Sequence, residues 1–431
     1  MKKFPRAHVL AVVLTAMGVT SASASPLTDQ VTANPSNPSW FFRPSGEPIF
    51  ICGPGDPEGF FYRGTQNSDG TRSGDQDALI ARLAPTGANS IYVIAVRSHG
   101  GDGDASQNPF VNHDPAQGVN DTVLDQWHGW VSALDDAGVV THLFLYDDSA
   151  RPFDTGDNVS AAEEDFIRAM AKRFEDIRNL VWCVAEEYSE ALSTTRASRI
   201  AEILRDADDH DHPIAVHQVS GLSFDFAGDP NVDQFSMQYN VGTASAIHSG
   251  VVQAFGSASG RFQLTLAEAA DWGTGAEARR KAWAAAMGGA YVMVLGMDIV
   301  STPTSDLEDC GRLVHFFERT GFPTMAPLDD LARNDTKWVL AEPGRGYILY
   351  ADSGTGSLGM AGMPEGYWDL LWFNPVTGAT VEQTDVATTG GTANWARPGG
   401  IGGEAAVWIS RSGTTGVEPR DSWASIKAAY R

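Results

Sequence analysis

Cysteine is scarce in this chain. It has three in 431 residues, at Cys52, Cys183 and Cys310. No Cys-x-x-Cys pair or Cys/His spacing accompanies them, which excludes a zinc site and a disulfide scaffold, and at most one disulfide can form. All three lie in apolar runs, so buried free thiols are expected, and Cys183 has no neighbouring base in the sequence to make it a nucleophile. Basic residues are also few: 30 Lys and Arg stand against 54 Asp and Glu, for a formal net charge of −24. No basic cluster exists to track phosphates, so a nucleic acid partner is excluded. The acidity itself reads as a solvated, self-repelling surface that suits an extracellular or salty medium.

Long hydrophobic runs are missing as well. Beyond the N-terminus nothing approaches the roughly 20 uncharged apolar residues of a membrane helix, so no membrane partner is expected. The N-terminus itself carries Lys2, Lys3 and Arg6 before an apolar run over 9–19 and then Ala22-Ser23-Ala24. That pattern predicts a signal peptide over residues 1–24 and a secreted or periplasmic protein. P-loop, dinucleotide and nucleophile-elbow motifs, internal repeats and extended heptads are all absent, and no cofactor is expected.

What is present is globular material in quantity. With 42% hydrophobic residues and 12 Trp, the chain can bury a large core, and its length suggests two or three domains. A Pro/Asn/Ser-rich stretch predicts a linker over 25–39. Eight strand-like runs follow, at 49–53, 90–96, 139–146, 180–185, 214–219, 234–239, 262–267 and 290–297. Most are continuously apolar, as parallel strands covered on both faces must be. Helical windows lie between them, for example 76–84, 123–137, 161–174, 195–207, 276–287 and 306–319. Ser160 ahead of Glu163 and Glu164 gives a capping box, and Gly138 stops the preceding helix. Eight alternations predict an α/β fold, a (β/α)8 TIM barrel, over 40–320. The segment 221–232 carries no convincing helix, so one crossover is expected to be irregular. From residue 321 short alternating runs at 338–341, 347–350, 368–373 and 405–410 predict a small antiparallel β-sandwich over 321–412, with a tail over 413–431.

A barrel presents its chemistry at the carboxyl ends of its strands. The fourth run reads NLVWCVAEEYSE and ends in Glu186 and Glu187; the seventh reads FQLTLAEAADW and ends in Glu268. A carboxylate directly after a buried strand loses solvation, and packing does not require it there. Opposed carboxylates across a barrel mouth are what glycoside hydrolysis needs. About 5 to 5.5 Å between them gives retention, and wider spacing admits a water and gives inversion.

The start NPSWFFRPSGEPIFICGPGDPEGFFYRG, the NLVWCVAEE and LAEAADW segments and the C-terminal domain together resemble the apiosidase-like glycoside hydrolases. Those have a clan A barrel followed by a small domain often labelled collagen-binding. The resemblance covers nearly all of the chain after the signal peptide. It implies an acid/base at the end of the fourth strand, matching Glu187, and a nucleophile at the end of the seventh, matching Glu268. Where such barrels commonly carry Asn or Gly before the acid/base, this chain has Glu186, so the choice between Glu186 and Glu187 stays open.

Other strand ends offer groups that hold a sugar: Asp56 and Glu58, Arg97 and His99, Tyr146 and Asp147, His217 and Gln218, Tyr239, Trp272 and Asp298. Aromatic faces stack on sugar C–H faces, while Asp, His and Arg bind hydroxyls, so the expected partner is a carbohydrate. For each of these residues barrel packing is the competing reading, and His142, inside a strand, reads as structural. Asp102, Asp104, Ser106 and Asn108 alternate as in a calcium loop but lack its turn glycine and terminal glutamate, so no metal is expected. The alternative to an enzyme is a non-catalytic carbohydrate- or matrix-binding protein on the same scaffold.

Overall fold

A computed structural model describes residues 25–55 and 59–413. The expected signal peptide, nearly all of the tail, and Asp56 and Glu58 lie outside the described residues. Eight parallel strands close a barrel: β1 (Cys52–Gly55), β2 (Ser90–Val96), β3 (Val140–Tyr146), β4 (Leu180–Ala185), β5 (Ile214–Gln218), β6 (Gln234–Gln238), β7 (Gln263–Glu268) and β8 (Tyr291–Asp298). Each pairs with its sequence neighbours, and β8 pairs with β1. Seven helices cover the barrel: α1 (Gln76–Leu83), α2 (Asp121–Asp136), α3 (Ala161–Phe174), α4 (Thr194–Ala207), α5 (Ala244–Ala258), α6 (Ala276–Gly288) and α7 (Thr304–Phe317). The crossover from β5 to β6 has no helix, as the sequence predicts.

Local chemistry sets the helix starts. The Ser160 hydroxyl accepts the Glu163 N–H at 3.2 Å, and Ser193 does the same for Arg196. The capping box at Ser160 is only half made. The Glu163 carboxylate turns into the wall instead, where it pairs with Arg196 at 2.7 Å.

The N-terminal stretch differs from expectation. The predicted linker and the first residues of the predicted first strand form an antiparallel sheet of Thr32–Asn34, Asn37–Phe42 and Pro48–Ile49. It caps the amino-terminal end of the barrel because Trp40, Phe41 and Phe50 have apolar partners there. Phe41 stacks on Tyr291 at 5.5 Å, and the Tyr291 hydroxyl accepts the Phe41 N–H and donates to the Ile49 carbonyl. The barrel strand itself starts only at Cys52.

The C-terminal domain is antiparallel: β9 (Trp338–Glu342), β10 (Gly346–Ala351), β11 (Leu358–Phe373), β12 (Thr380–Trp395) and β13 (Ala405–Arg411), with short pieces Ala326–Pro327 and Ala332–Asn334. Hydrogen bonding runs through all seven strands, carried by the 16-residue hairpin partners β11 and β12 and their register breaks. Alternation splits each inner strand between two interiors. Val339, Ala341 and Leu349 face a core of the domain's own with Trp368 and Trp372; Trp338, Leu340, Ile348 and Tyr350 join the core of the barrel. At that junction Trp283 of α6 stacks on Tyr350 at 4.8 Å, and Phe316 of α7 meets Phe373 at 5.1 Å. Arg279 clamps the buried Glu404 with two hydrogen bonds of 3.0 and 2.9 Å, and the Tyr350 hydroxyl donates to the same carboxylate.

All three cysteines are free and buried. Burial, and then the neighbouring Cys310, push the Cys52 thiol well above its ordinary range, so it is inert. His142 is fully buried in β3, and desolvation lowers its pKa to about 3, so it stays neutral.

Candidate active site

The end of β4 breaks the alternation of its strand. Glu187 has φ 37° and ψ 48°, in the left-handed region, where a residue other than glycine is strained by about 1 kcal/mol. Its N–H is accepted by Nδ1 of His217 at the end of β5, 3.1 Å away. Because Nδ1 accepts, the ring proton sits on Nε2, and burial lowers the His217 pKa to about 3. The neutral ring thus holds the turn that sends Glu186 and Glu187 in different directions.

Glu186 turns toward β2 and β3. It is buried beside Asp147 and Tyr92, and burial, followed by its hydrogen bond to Asp147, holds its carboxyl well above the usual range. Glu186 therefore carries the proton of this pair and donates it to Asp147. Asp147 is in turn held by Arg97 at 3.2 Å and accepts the Asp102 N–H. Three predicted residues, Glu186, Asp147 and Arg97, thus form one buried network beside the mouth.

Glu187 turns toward β6 and β7. Its Oε1 accepts from Nε2 of Gln238, and the same nitrogen donates to Oε2 of Glu268 at 2.8 Å. A single nitrogen within hydrogen-bond reach of both side chains brings one oxygen of each carboxylate close to the other across the mouth. Burial, then the charges of Glu268 and Glu190, raise the Glu187 pKa to about 7. Asp148, Glu187 and Glu190 bring carboxylate oxygens within 4.8 Å of one another, the one such acidic group among the described residues. Glu187 is already engaged by Gln238, and Glu190 by the Ser149 hydroxyl, so the group reads as crowded carboxylates rather than an ion cage. Ser189, Glu190 and Arg151 line a cleft of about 280 Å3 beside the turn.

The other predicted residues disperse. Tyr146 is a correction: its hydroxyl donates to Glu163 at 3.0 Å and its ring lies near Phe166, so it sits in the wall between β3 and α3, away from the mouth. Asp298 is another, because it locks the turn after β8 by accepting the Val300 N–H and the Ser301 hydroxyl. Tyr239 lies against α5, where a side chain on Gly250 would meet its ring at 2.3 Å. Gln218 is spent on the crossover, bonding the Ser223 carbonyl and the Asp225 N–H. Trp272 is buried against Gly296 of β8, and His99 is exposed with φ 64°. In the 102–108 loop the side chains are spent on protein partners: Asp104 accepts from Ser106, Asn108 donates to Ala105 and Ser98, and Ser106 accepts from Arg72.

Gln238 and Glu190 escape sequence reasoning. The signal for Gln238 is the alternation in QFSMQY, which puts Gln234, Ser236 and Gln238 on one face, whereas attention to the strand end selects Tyr239 on the other.

Solved structures share this architecture. One described as a glycoside hydrolase aligns with a TM-score of 0.68 at 11% identity, covering 91% of this chain and 100% of its own. A glycoside hydrolase family 5 protein from Bacteroides vulgatus gives 0.67 at 10% identity, covering 93% and 98%. A family 5 mannosidase from Rhizomucor miehei gives 0.51 at 14% identity, covering 68% and 99%. No protein-family model matches the chain, and no curated protein matches it in sequence. At these identities the likeness establishes the fold, a TIM barrel with an antiparallel C-terminal domain.

Proposed function

We propose that this chain is a secreted retaining glycoside hydrolase of the apiosidase-like kind, with Glu187 as acid/base and Glu268 as nucleophile. One observation carries the reading: carboxylates from the ends of β4 and β7 share a single amide nitrogen, a bridge too short for the separation of about 6.5 to 9.5 Å that inverting enzymes need to admit a water, which favours retention. Their electrostatics agree. A carboxyl raised to about 7 is protonated at neutral pH and can give its proton to the leaving oxygen.

In the first step Glu268 attacks the anomeric carbon, the glycosidic C–O bond breaks, and the Glu187 proton goes to the departing oxygen. In the second, Glu187 takes a proton from water, whose oxygen displaces Glu268 and restores both carboxyls. The folds of the solved glycoside hydrolases support the reading, and the substrate is a poly- or oligosaccharide. The sheet domain serves to cover α6 and α7; the collagen-binding label of the corresponding domain in the family it resembles is a name and not a ligand.

The test is turnover of plant, algal and bacterial glycans with the product anomer followed by NMR. Retention is expected, with a basic limb in the pH–rate profile near pH 7. Glu268→Gln should abolish turnover while glycan affinity persists. Glu187→Gln should lose about 10²- to 10⁴-fold, less on aryl glycosides whose leaving group needs no proton. An inverted product would refute the double displacement, and glycan binding without any turnover would leave a binding protein.

A further inference from the structure

The crossover from β5 to β6 is the one barrel connection without a helix, and it approaches the candidate site. Gln218 pins it from the barrel side, and the Tyr188 hydroxyl, just past the Glu187 turn, holds it through Asp225. At its start Ser220 adopts φ 35° and donates its N–H to Oε1 of Gln238 at 2.6 Å. A backbone N–H can only donate, so the Gln238 oxygen is committed to it and the amide cannot flip. Both N–H groups of the amide must then face the two carboxylates. Gln238 is 5% exposed, so solvent does not compete for them.

We infer that Gln238, oriented by the helix-less crossover through Ser220, is a positioning residue that spaces Glu187 and Glu268 and holds both in register for the reaction. This rests on the glycosidase reading for its catalytic consequence, but its geometric claim stands apart from it. Without the amide, the two acidic side chains have no shared donor between them and drift or tilt apart. The groups that face Glu187 are Glu268 from β7, Glu190 on its own turn, Asp148 after β3, His217 through the backbone, and Gln238. Among them Gln238 alone donates to the ionised carboxylate, so its removal favours the protonated form of Glu187.

The test uses the full chain with Gln238→Met, which keeps length and removes the donors, and Gln238→Asn, an uncharged amide one methylene too short to reach both carboxylates. Glu187 is followed by 13C-carboxyl NMR titration, its resonance assigned with Glu187→Gln, and the two variants are assayed for kcat, KM and pH profile. Support is an upward move of the Glu187 titration, by about one pH unit, with kcat lower by about 10²-fold and KM little changed. If the Met variant fails to fold, the Asn variant, which adds no charge, is read in its place. A Glu187 titration and kcat unchanged from wild type in a folded variant would overturn the inference. If the wild type turns over no glycan but the titration moves, the positioning claim is upheld and the glycosidase reading falls.

Discussion

Replacing Glu187 by Gln should stabilise the fold in mildly alkaline solution and leave it unchanged in acid. In the folded protein the Glu187 carboxyl is raised from 4.5 to about 7, by burial first and then by Glu268 and Glu190. A pKa raised on folding means the protonated form is the one the fold favours. Its contribution is complete below pH 4.5 and is lost as pH rises through about 7. Fully expressed, the interval corresponds to about 3 kcal/mol. Glu187 is partly open to solvent, which screens the repulsion, so about 1–2 kcal/mol is expected. Glutamine mimics the protonated acid and still accepts from Gln238. Thermal unfolding followed by Trp fluorescence should therefore show the variant melting about 1–2 °C above wild type at pH 8.5, with equal midpoints at pH 4. An equal gain at both pH values, or a less stable variant at pH 8.5, would refute the electrostatic account of this site.

Two further substitutions probe the frame. Arg279→Met leaves Glu404 to the Tyr350 hydroxyl and to Arg280 at 3.5 Å and should lower stability by about 2–3 kcal/mol in calorimetry, while Arg279→Met with Glu404→Leu should recover part of it. Gly311→Ala in α7 ought to help an exposed helix by about 1 kcal/mol. Here the new methyl carbon would lie 2.2 Å from the Thr86 carbonyl oxygen, so a net loss in denaturant midpoint is expected, and a gain would refute the packing argument.

The barrel is legible because its strands are buried on both faces, so most runs are largely apolar, and because α2, α3 and α4 start with Asn or Ser caps. The missing crossover helix is legible too, since 221–232 offers no apolar stripe. The N-terminal sheet is not, because NPSW and PSGEP read as loop signals, and only the partner Tyr291, some 250 residues away, makes strands of their neighbours. The strand β12 hides for the opposite reason: Thr, Gly and Asp fill it, most of it is exposed, and its pairing with β11 decides its conformation. At the site, Glu186, Glu187 and Glu268 stand out as acids after apolar strands, but which glutamate faces which partner depends on one left-handed backbone angle. Gln238 is uncharged, so a search for titratable groups passes over it. Tyr146 and Asp298 mislead because a polar residue at a strand end can face the helix layer or its own turn as readily as the mouth.

The strands β9 and β10 lend alternate side chains to two interiors, and this bears on how the protein unfolds and evolves. Neither half has a finished surface of its own, so heat or denaturant should melt the two together in a single cooperative transition. For the same reason the C-terminal domain cannot be exchanged between lineages like a detachable module, since any substitute must arrive with matching changes on α6 and α7.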